Sequence, residues 1–221
     1  MEAQKHILQA RNDLDEMVLP FWRQNMMYRE SLAMIRRENG EITAKLLFRP
    51  RKILEVRNNA LDHVLQEGKD YLWDGESAEL KWIAGSEIPF FTKNDLEGRD
   101  SEGNYIVEWG DTARGWKEET PWDSLGRSRF RNALFTAGPF LYEKQIAVTY
   151  EYDCSAAASF GTAFQGENIP NTMRKFQNQD SLRIVFFGDS IFAGCDSSAL
   201  NNRPPFQQSF PYWVERALSR H

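Results

Sequence analysis

Residues 145–152, Gln-Ile-Ala-Val-Thr-Tyr-Glu-Tyr, carry the clearest structural pattern in the chain. Its even-numbered positions are aliphatic or aromatic, and its odd-numbered positions are mostly polar. A period of two is typical of a strand that buries one face. The pattern therefore predicts that Ile146, Val148, Tyr150 and Tyr152 face a core.

Similar extended runs precede this strand, and turn-forming pairs such as Asn39-Gly40 and Asp74-Gly75 separate them. The runs lie at 28–35, 42–48, 52–57, 79–83, 104–109 and 132–136. Many short strands joined by turns are typical of an antiparallel β-sandwich or a jelly roll. The sequence thus predicts a mainly β protein with an accessory sandwich domain over 20–153, after an amphipathic helix and lead-in over 1–19.

The pattern changes after this domain. Residues 154–180 are rich in small and polar residues and are expected to form a loop-rich linker. The nearly continuous apolar run at 182–187 is typical of a strand covered on both faces, and Ser209-Phe210-Pro211 is a favourable helix start. Strand, loop and helix predict the first β-α unit of an α/β domain over 181–221. One such unit cannot cover its own sheet, so the domain is expected to be incomplete.

The run at 182–187 leads directly into Gly-Asp-Ser-Ile-Phe-Ala-Gly, residues 188–194. A serine at the carboxyl end of a parallel strand presents its hydroxyl to the crevice where α/β proteins bind ligands. Backbone N–H groups beyond such a serine can stabilise an oxyanion. The block resembles the Gly-Asp-Ser-Xaa-Xaa-Xaa-Gly block of the SGNH, or GDSL, hydrolase superfamily, in which it follows the first strand of a flavodoxin-like α/β fold.

The resemblance implies roles for four residues. Ser190 would be the nucleophile and, through its own N–H, one oxyanion donor. Asp189 would position the loop, and Gly188 and Gly194 would permit its geometry. A β-domain before an SGNH domain is similar to the arrangement in carbohydrate esterases, which implies a small acyl ester such as an acetylated carbohydrate as substrate. The resemblance implies neither a metal nor an organic cofactor. The alternative is that residues 188–190 form only a strand-to-helix turn capped by Asp or Ser.

The catalytic set of that superfamily is incomplete in this sequence. Its members also supply Gly and Asn oxyanion donors and an Asp-Xaa-Xaa-His block. None of His6, His63 and His221 has Asp three positions before it. Because a serine hydroxyl is a weak nucleophile without a positioned base, we expect this chain alone to be inactive. The sequence is therefore interpreted as the N-terminal part of a serine esterase.

An α/β unit that is not fully covered should also expose apolar side chains to solvent. Phe186, Phe187, Trp213 and Leu218 are expected to form an apolar patch, and the unpaired strand edges are expected to promote self-association.

Charge and composition argue against several other classes. The 221 residues include 27 Lys and Arg and 32 Asp and Glu, a net charge of -5. Without a basic excess, neither nucleic acid nor an anionic membrane surface is an expected partner. No apolar run is long enough to span a bilayer. Residues 1–17 lack the apolar core of a signal peptide, and two cysteines cannot form a disulfide framework, so a cytoplasmic protein with free thiols is expected.

The alternative function is a non-catalytic β-sandwich module that binds a glycan or a protein, and exposed tryptophans could stack on the sugars of a glycan. We favour the interpretation that these side chains fill the sandwich core. They are Trp73, Trp82, Trp109, Trp116 and Trp122.

For the other candidate residues we favour a structural explanation over a functional one. The acidic stretch at 108–123 is interpreted as a solvated loop and Cys195 as a packed thiol. His63 is interpreted as a surface or half-buried histidine, and Arg127, Arg129 and Arg131 as a solvated strand face.

Overall fold

The computed structural model describes residues 18–97, 102, 140–161, 163–195 and 197–219. These residues form two antiparallel sheets with short helices between and after them. The strands are β1 (Met26–Ala33), β2 (Ile35–Arg36), β3 (Ile42–Lys45), β4 (Pro50–Asn58), β5 (Tyr71–Trp73), β6 (Glu79–Trp82) and β7 (Gln145–Tyr152). The predicted β-rich character is thus confirmed. The packing of the sheets as a sandwich stays a prediction.

The helices of the described residues are all short. Their α-helices are α1 (Lys93–Glu97), α2 (Phe140–Glu143), α3 (Pro170–Gln177), α4 (Ser190–Ala193) and α5 (Phe210–Leu218). The 3₁₀ helices in the same part of the chain are Phe21–Arg23, Cys154–Phe160 and Gly166–Asn168. None of the described helices has the length and apolar character that a bilayer crossing requires.

The four-stranded sheet has the order β2-β3-β6-β5. Ala44 of β3 lies opposite Leu80 of β6, and Leu72 of β5 lies opposite Lys81. Leu80 is fully buried, whereas Lys81 beside it is exposed. The sheet therefore shows the burial alternation expected of strands with one core-facing side.

The three-stranded sheet has the order β1-β7-β4, so β7 is its central strand. Ile146 is 1% exposed, and Val148, Tyr150 and Tyr152 are completely buried. The prediction drawn from residues 145–152 is therefore confirmed. The Tyr152 hydroxyl also donates a hydrogen bond to the Phe21 carbonyl, which supplies the polar partner that a buried tyrosine needs.

The chain divides into two compact units. One comprises the described parts of Met1–Arg29, Pro50–Leu54 and Thr149–His221, and its core includes Tyr150 and Tyr152. The other comprises the described parts of Glu30–Arg49 and Glu55–Val148. Its largest fully buried side chains are Met34, Leu46, Val56, Leu80, Phe91, Ile146 and Val148, together with Asp70.

The C-terminal third differs in two ways from expectation. Residues 154–180, expected to be loop-rich, contain two 3₁₀ helices and α3. Residues 182–187, expected to form a strand, have no regular secondary structure. A strand requires a hydrogen-bonded neighbour, and no backbone hydrogen bond joins this run to another described residue. The helix after Ser209 is confirmed as α5, with Pro in its first turn.

The sequence analysis also missed β5, whose three residues are too few to show a period. The strands expected at 104–109 and 132–136 and the helix expected at 3–16 lie outside the described residues.

Candidate functional site

The Gly-Asp-Ser block forms a tight turn into a single helical turn. Asp189 is the N-cap of α4, and its Oδ1 accepts a hydrogen bond from the Ile191 N–H at 3.0 Å. Ser190 is the first helical residue. Asp, like Ser, is a favoured N-cap because its side-chain oxygen satisfies an N–H that has no partner within the helix. The Asp189 side chain thus caps the turn that begins α4.

The Ser190 side chain is exposed, and its hydroxyl makes no hydrogen bond to any other described residue. Its backbone is ordered by the turn, because the Ser190 carbonyl accepts from the Cys195 N–H at 2.8 Å. The residue therefore combines an accessible hydroxyl with a backbone held in place.

Gly194 ends α4 in a conformation that strongly favours glycine. Its φ is +86°, and its N–H donates to the Ile191 carbonyl at 3.0 Å. A Cβ at this position would lie 2.8 Å from the Ser209 Cβ. Gly194 is thus required both by its left-handed backbone and by the close approach of the residue before α5.

The space that a side chain at residue 188 would occupy is already filled. An ideal Cβ on Gly188 would lie 2.0 Å from Cδ2 of Phe192, so the phenyl ring occupies the volume that a side chain would need. At both glycines of the block, an added Cβ would therefore collide with a neighbouring side chain.

The segment between α4 and α5 is folded back on itself. Ser198 is buried, and its hydroxyl accepts from the Gln207 N–H at 2.7 Å. The Ser198 carbonyl accepts from the Arg203 N–H at 2.8 Å. These bonds place Ser209 beside Gly194.

No described histidine belongs to the unit that contains Ser190. His63 belongs to the other compact unit and is exposed. Its Nε2 lies 3.8 Å from Oε2 of Glu87. The expectation that His63 is a surface histidine is confirmed. His6 and His221 lie outside the described residues. The described residues of the unit that contains Ser190 therefore include an exposed serine and no histidine.

An open groove of about 620 Å³ lies in the same unit as Ser190. Its lining includes Phe176 of α3, Leu182, Ile184 and Phe186 of the apolar run, and Leu218 of α5. The apolar run itself is strongly exposed beyond the groove, with Val185 and Phe187 80% and 94% exposed. Part of the expected apolar patch is thus present, although Trp213 and Leu218 are only half-exposed.

Of the five tryptophans singled out in the sequence, the two that the structure describes do not form an exposed row. Trp73 and Trp82 are half-buried, and their Nε1 atoms donate to the carbonyls of Ser77 and Ile88. This arrangement supports a packing role for both. Trp109, Trp116, Trp122, the acidic stretch at 108–123 and Arg127, Arg129 and Arg131 lie outside the described residues.

The cysteines correct one expectation. Cys195 was expected to be a packed thiol, but its side chain is exposed, as is that of Cys154, and both are free. Cys195 lies directly after Gly194, the left-handed residue that ends α4. Within the described ranges, no three His, Cys, Asp or Glu side chains group as a metal site would require.

Two contributors to this site were missed by sequence analysis: Phe192, which covers Gly188, and Phe210, which contacts Phe192. The available signal was the aromatic character of these two residues, both of which follow the Gly-Asp-Ser turn in sequence. That signal did not show that the two rings meet, because sequence separation alone does not predict such a contact.

Comparison with known proteins is sparse. No family model and no solved structure matches the chain. A stretch of 66 residues is 36% identical to the GTP-binding protein YPT11 of Saccharomyces cerevisiae strains YJM789, RM11-1a and AWRI1631. The match covers 30% of this chain and 15% of the yeast protein. Such a short overlap does not place the chain in the family of that relative.

Proposed function

We propose that this chain is the N-terminal part of a serine ester hydrolase in which Ser190 is the nucleophile. The proposal depends on one observation: the Gly-Asp-Ser-Xaa-Xaa-Xaa-Gly block forms an ordered turn that leaves the Ser190 hydroxyl exposed. Asp189 caps the turn, and Gly188 and Gly194 occupy positions where a side chain would collide. All four matching residues therefore have contacts that agree with their implied roles.

The proposed reaction begins with attack of Ser190 Oγ on the acyl carbon of an ester. The alcohol leaves, an acyl-Ser190 ester forms, and water then releases the acid and regenerates the hydroxyl. The Ser190 N–H makes no hydrogen bond to any described residue, so it is available as an oxyanion donor. The base and the further donors would come from sequence beyond His221. This chain alone is therefore expected to be inactive.

The substrate class is inferred only from the presence of a β-rich region before a Gly-Asp-Ser block. We propose a small acyl ester, such as an acetylated carbohydrate, by analogy with esterases of that organisation. GTP binding is not proposed for this chain. Its sequence has no Gly-Xaa-Xaa-Xaa-Xaa-Gly-Lys-Ser/Thr stretch, the loop whose backbone N–H groups and lysine hold nucleotide phosphates.

The test is covalent labelling with a fluorophosphonate, which an activated serine attacks at phosphorus with loss of fluoride. Protein made from the complete coding sequence should be labelled at Ser190, and Ser190→Ala should abolish labelling. Ser181→Ala is the matched control, because Ser181 is also exposed and lies in the same unit. Esterase activity should fall by orders of magnitude in Ser190→Ala alone.

Two outcomes contradict the proposal. Labelling that survives Ser190→Ala would remove Ser190 from the mechanism. A complete protein that is folded but neither labelled nor active on acyl esters would reject the hydrolase itself.

A further inference from the structure

Three phenyl rings surround the Ser190 turn. Phe186 precedes the turn, Phe192 lies within α4, and Phe210 is the first residue of α5. Phe186 and Phe192 both meet Phe210 edge-on, with ring centroids 5.8 and 5.0 Å apart. Edge-to-face pairs at these distances are favourable because the positive ring edge meets the negative ring face. Residues on both sides of Ser190 therefore pack on one ring.

Phe192 also contacts the chain before the serine. Its ring occupies the place of a Gly188 side chain, because Cδ2 of Phe192 lies 2.0 Å from the position of an ideal Cβ on Gly188. The ring thus sets the separation between Gly188 and α4, with Asp189 between them. This contact adds to the Asp189 cap, in which the side-chain Oδ1 of Asp189 accepts a hydrogen bond from the Ile191 N–H.

Phe187 shows that these contacts are specific. It is the neighbour of Phe186 in the same apolar run, but it is 94% exposed and makes no ring contact with the other described residues. Being an aromatic residue in the same apolar run is therefore not sufficient for a contact with Phe210.

We infer that Phe186, Phe192 and Phe210, here called the aromatic brace, position the Ser190 turn. The brace holds α4 against Gly188 and against the start of α5. Its consequence for catalysis rests on the proposed function, since a nucleophile must be held close to its productive geometry. Phe192 and Phe210 are positioning residues and act on the ester only through Ser190.

The direct test is solvent exchange of backbone amides, measured by NMR on the 221-residue chain. The Cys195 and Gly194 N–H groups report the turn, because they bond the carbonyls of Ser190 and Ile191. Phe192→Ala should speed their exchange at least tenfold, whereas Phe187→Ala should leave it unchanged. Phe192→Tyr should restore protection, because Phe192 is 36% exposed and an added hydroxyl has access to solvent.

The Tyr152 N–H, which bonds the Asn25 carbonyl at 2.8 Å, is the control for folding of the same unit. Faster exchange at Gly194 and Cys195 with Tyr152 still protected supports the brace. If Phe192→Ala exposes all three amides, the milder Phe192→Leu decides by the same criterion. Unchanged exchange of the turn amides in Phe192→Ala, or equal effects of Phe187→Ala, would overturn the inference.

A second measurement separates the brace from the hydrolase. In the complete protein, fluorophosphonate should label Ser190 at least tenfold more slowly in Phe192→Ala and at nearly the original rate in Phe192→Tyr. Absence of labelling in the unmodified protein would reject the proposed function and leave the exchange result to decide the brace. Normal labelling of Phe192→Ala would reject a positioning role.

Discussion

The Lys144 ammonium lies 2.8 Å from Oδ1 of Asp95, and both side chains are largely removed from solvent. The Thr92 N–H and hydroxyl each donate to the other carboxylate oxygen at 2.7 Å. Burial by itself raises the pKa of Asp95. The hydrogen bonds from Lys144 and Thr92 and the charge of Lys144 outweigh it, so the pKa lies below its ordinary value.

This pair predicts an acid-dependent contribution to stability. A lowered pKa in the folded state means that the pair stabilises the fold above the unfolded-state pKa, about 3.9, and loses this contribution as pH falls through the folded-state pKa. Lys144→Met should lower the free energy of unfolding by about 1 kcal/mol at pH 7. The difference from the unmodified chain should shrink on acidification below about pH 4.

Urea unfolding at several pH values measures this difference. Glu76→Gln is the control, because the Arg49–Glu76 pair is exposed and its loss should change stability by less than about 0.5 kcal/mol. A Lys144→Met effect that is the same at pH 7 and pH 3 would contradict the assignment.

Leu80 and Leu72 lie on the paired strands β6 and β5, but Leu80 is buried and Leu72 is exposed. Leu80 is 0% exposed and Leu72 is 50% exposed. Leu80→Ala should cost about 2–5 kcal/mol of unfolding free energy, because it removes buried methyl groups and leaves a cavity. Leu72→Ala should cost about 0.5 kcal/mol or less. Chemical denaturation of both variants tests the sheet assignment, and equal costs would show that the buried face is wrong.

Gly194 and Gly40 have nearly the same φ, +86° and +88°, but different surroundings. A Cβ at Gly40 meets nothing within 4 Å, whereas one at Gly194 lies 2.8 Å from the Ser209 Cβ. Gly40→Ala should therefore cost only the left-handed backbone strain, about 1–2 kcal/mol. Gly194→Ala should cost more, and adding Ser209→Gly should recover the excess. Thermal unfolding of the three variants checks this, and no recovery in the double variant would refute the steric explanation.

Val185 and Phe187, 80% and 94% exposed, predict association of the isolated chain. Contiguous exposed apolar surface of this kind promotes contact between molecules. Sedimentation velocity of the 221-residue chain should show concentration-dependent association, which Val185→Ser with Phe187→Ser should reduce. Leu47→Ser is the control, since Leu47 is 51% exposed but lies in the other unit. A monodisperse monomer at high concentration would contradict the prediction.

Local patterns were the features that sequence analysis predicted well. The alternation at 145–152 identified the buried face of β7, and Ser-Phe-Pro at 209–211 identified the start of α5. Features that depend on a distant partner were predicted poorly. The run at 182–187 has the composition of a covered strand but no regular structure among the described residues. Pro170 was an available signal for α3, because Pro is favoured in the first helical turn.

The sequence by itself determined the strand-rich character of the chain, the buried face of β7 and the Gly-Asp-Ser block as the candidate site. These follow from side-chain period, turn residues and capping, all of which act within a few residues along the chain. Only the tertiary structure decided that Phe192 covers Gly188, that Ser209 approaches Gly194, and that Cys195 is exposed. The contacts of Phe192 with Phe210 and of Gly194 with Ser209 depend on how α4 packs against the start of α5, and no local pattern encodes that packing.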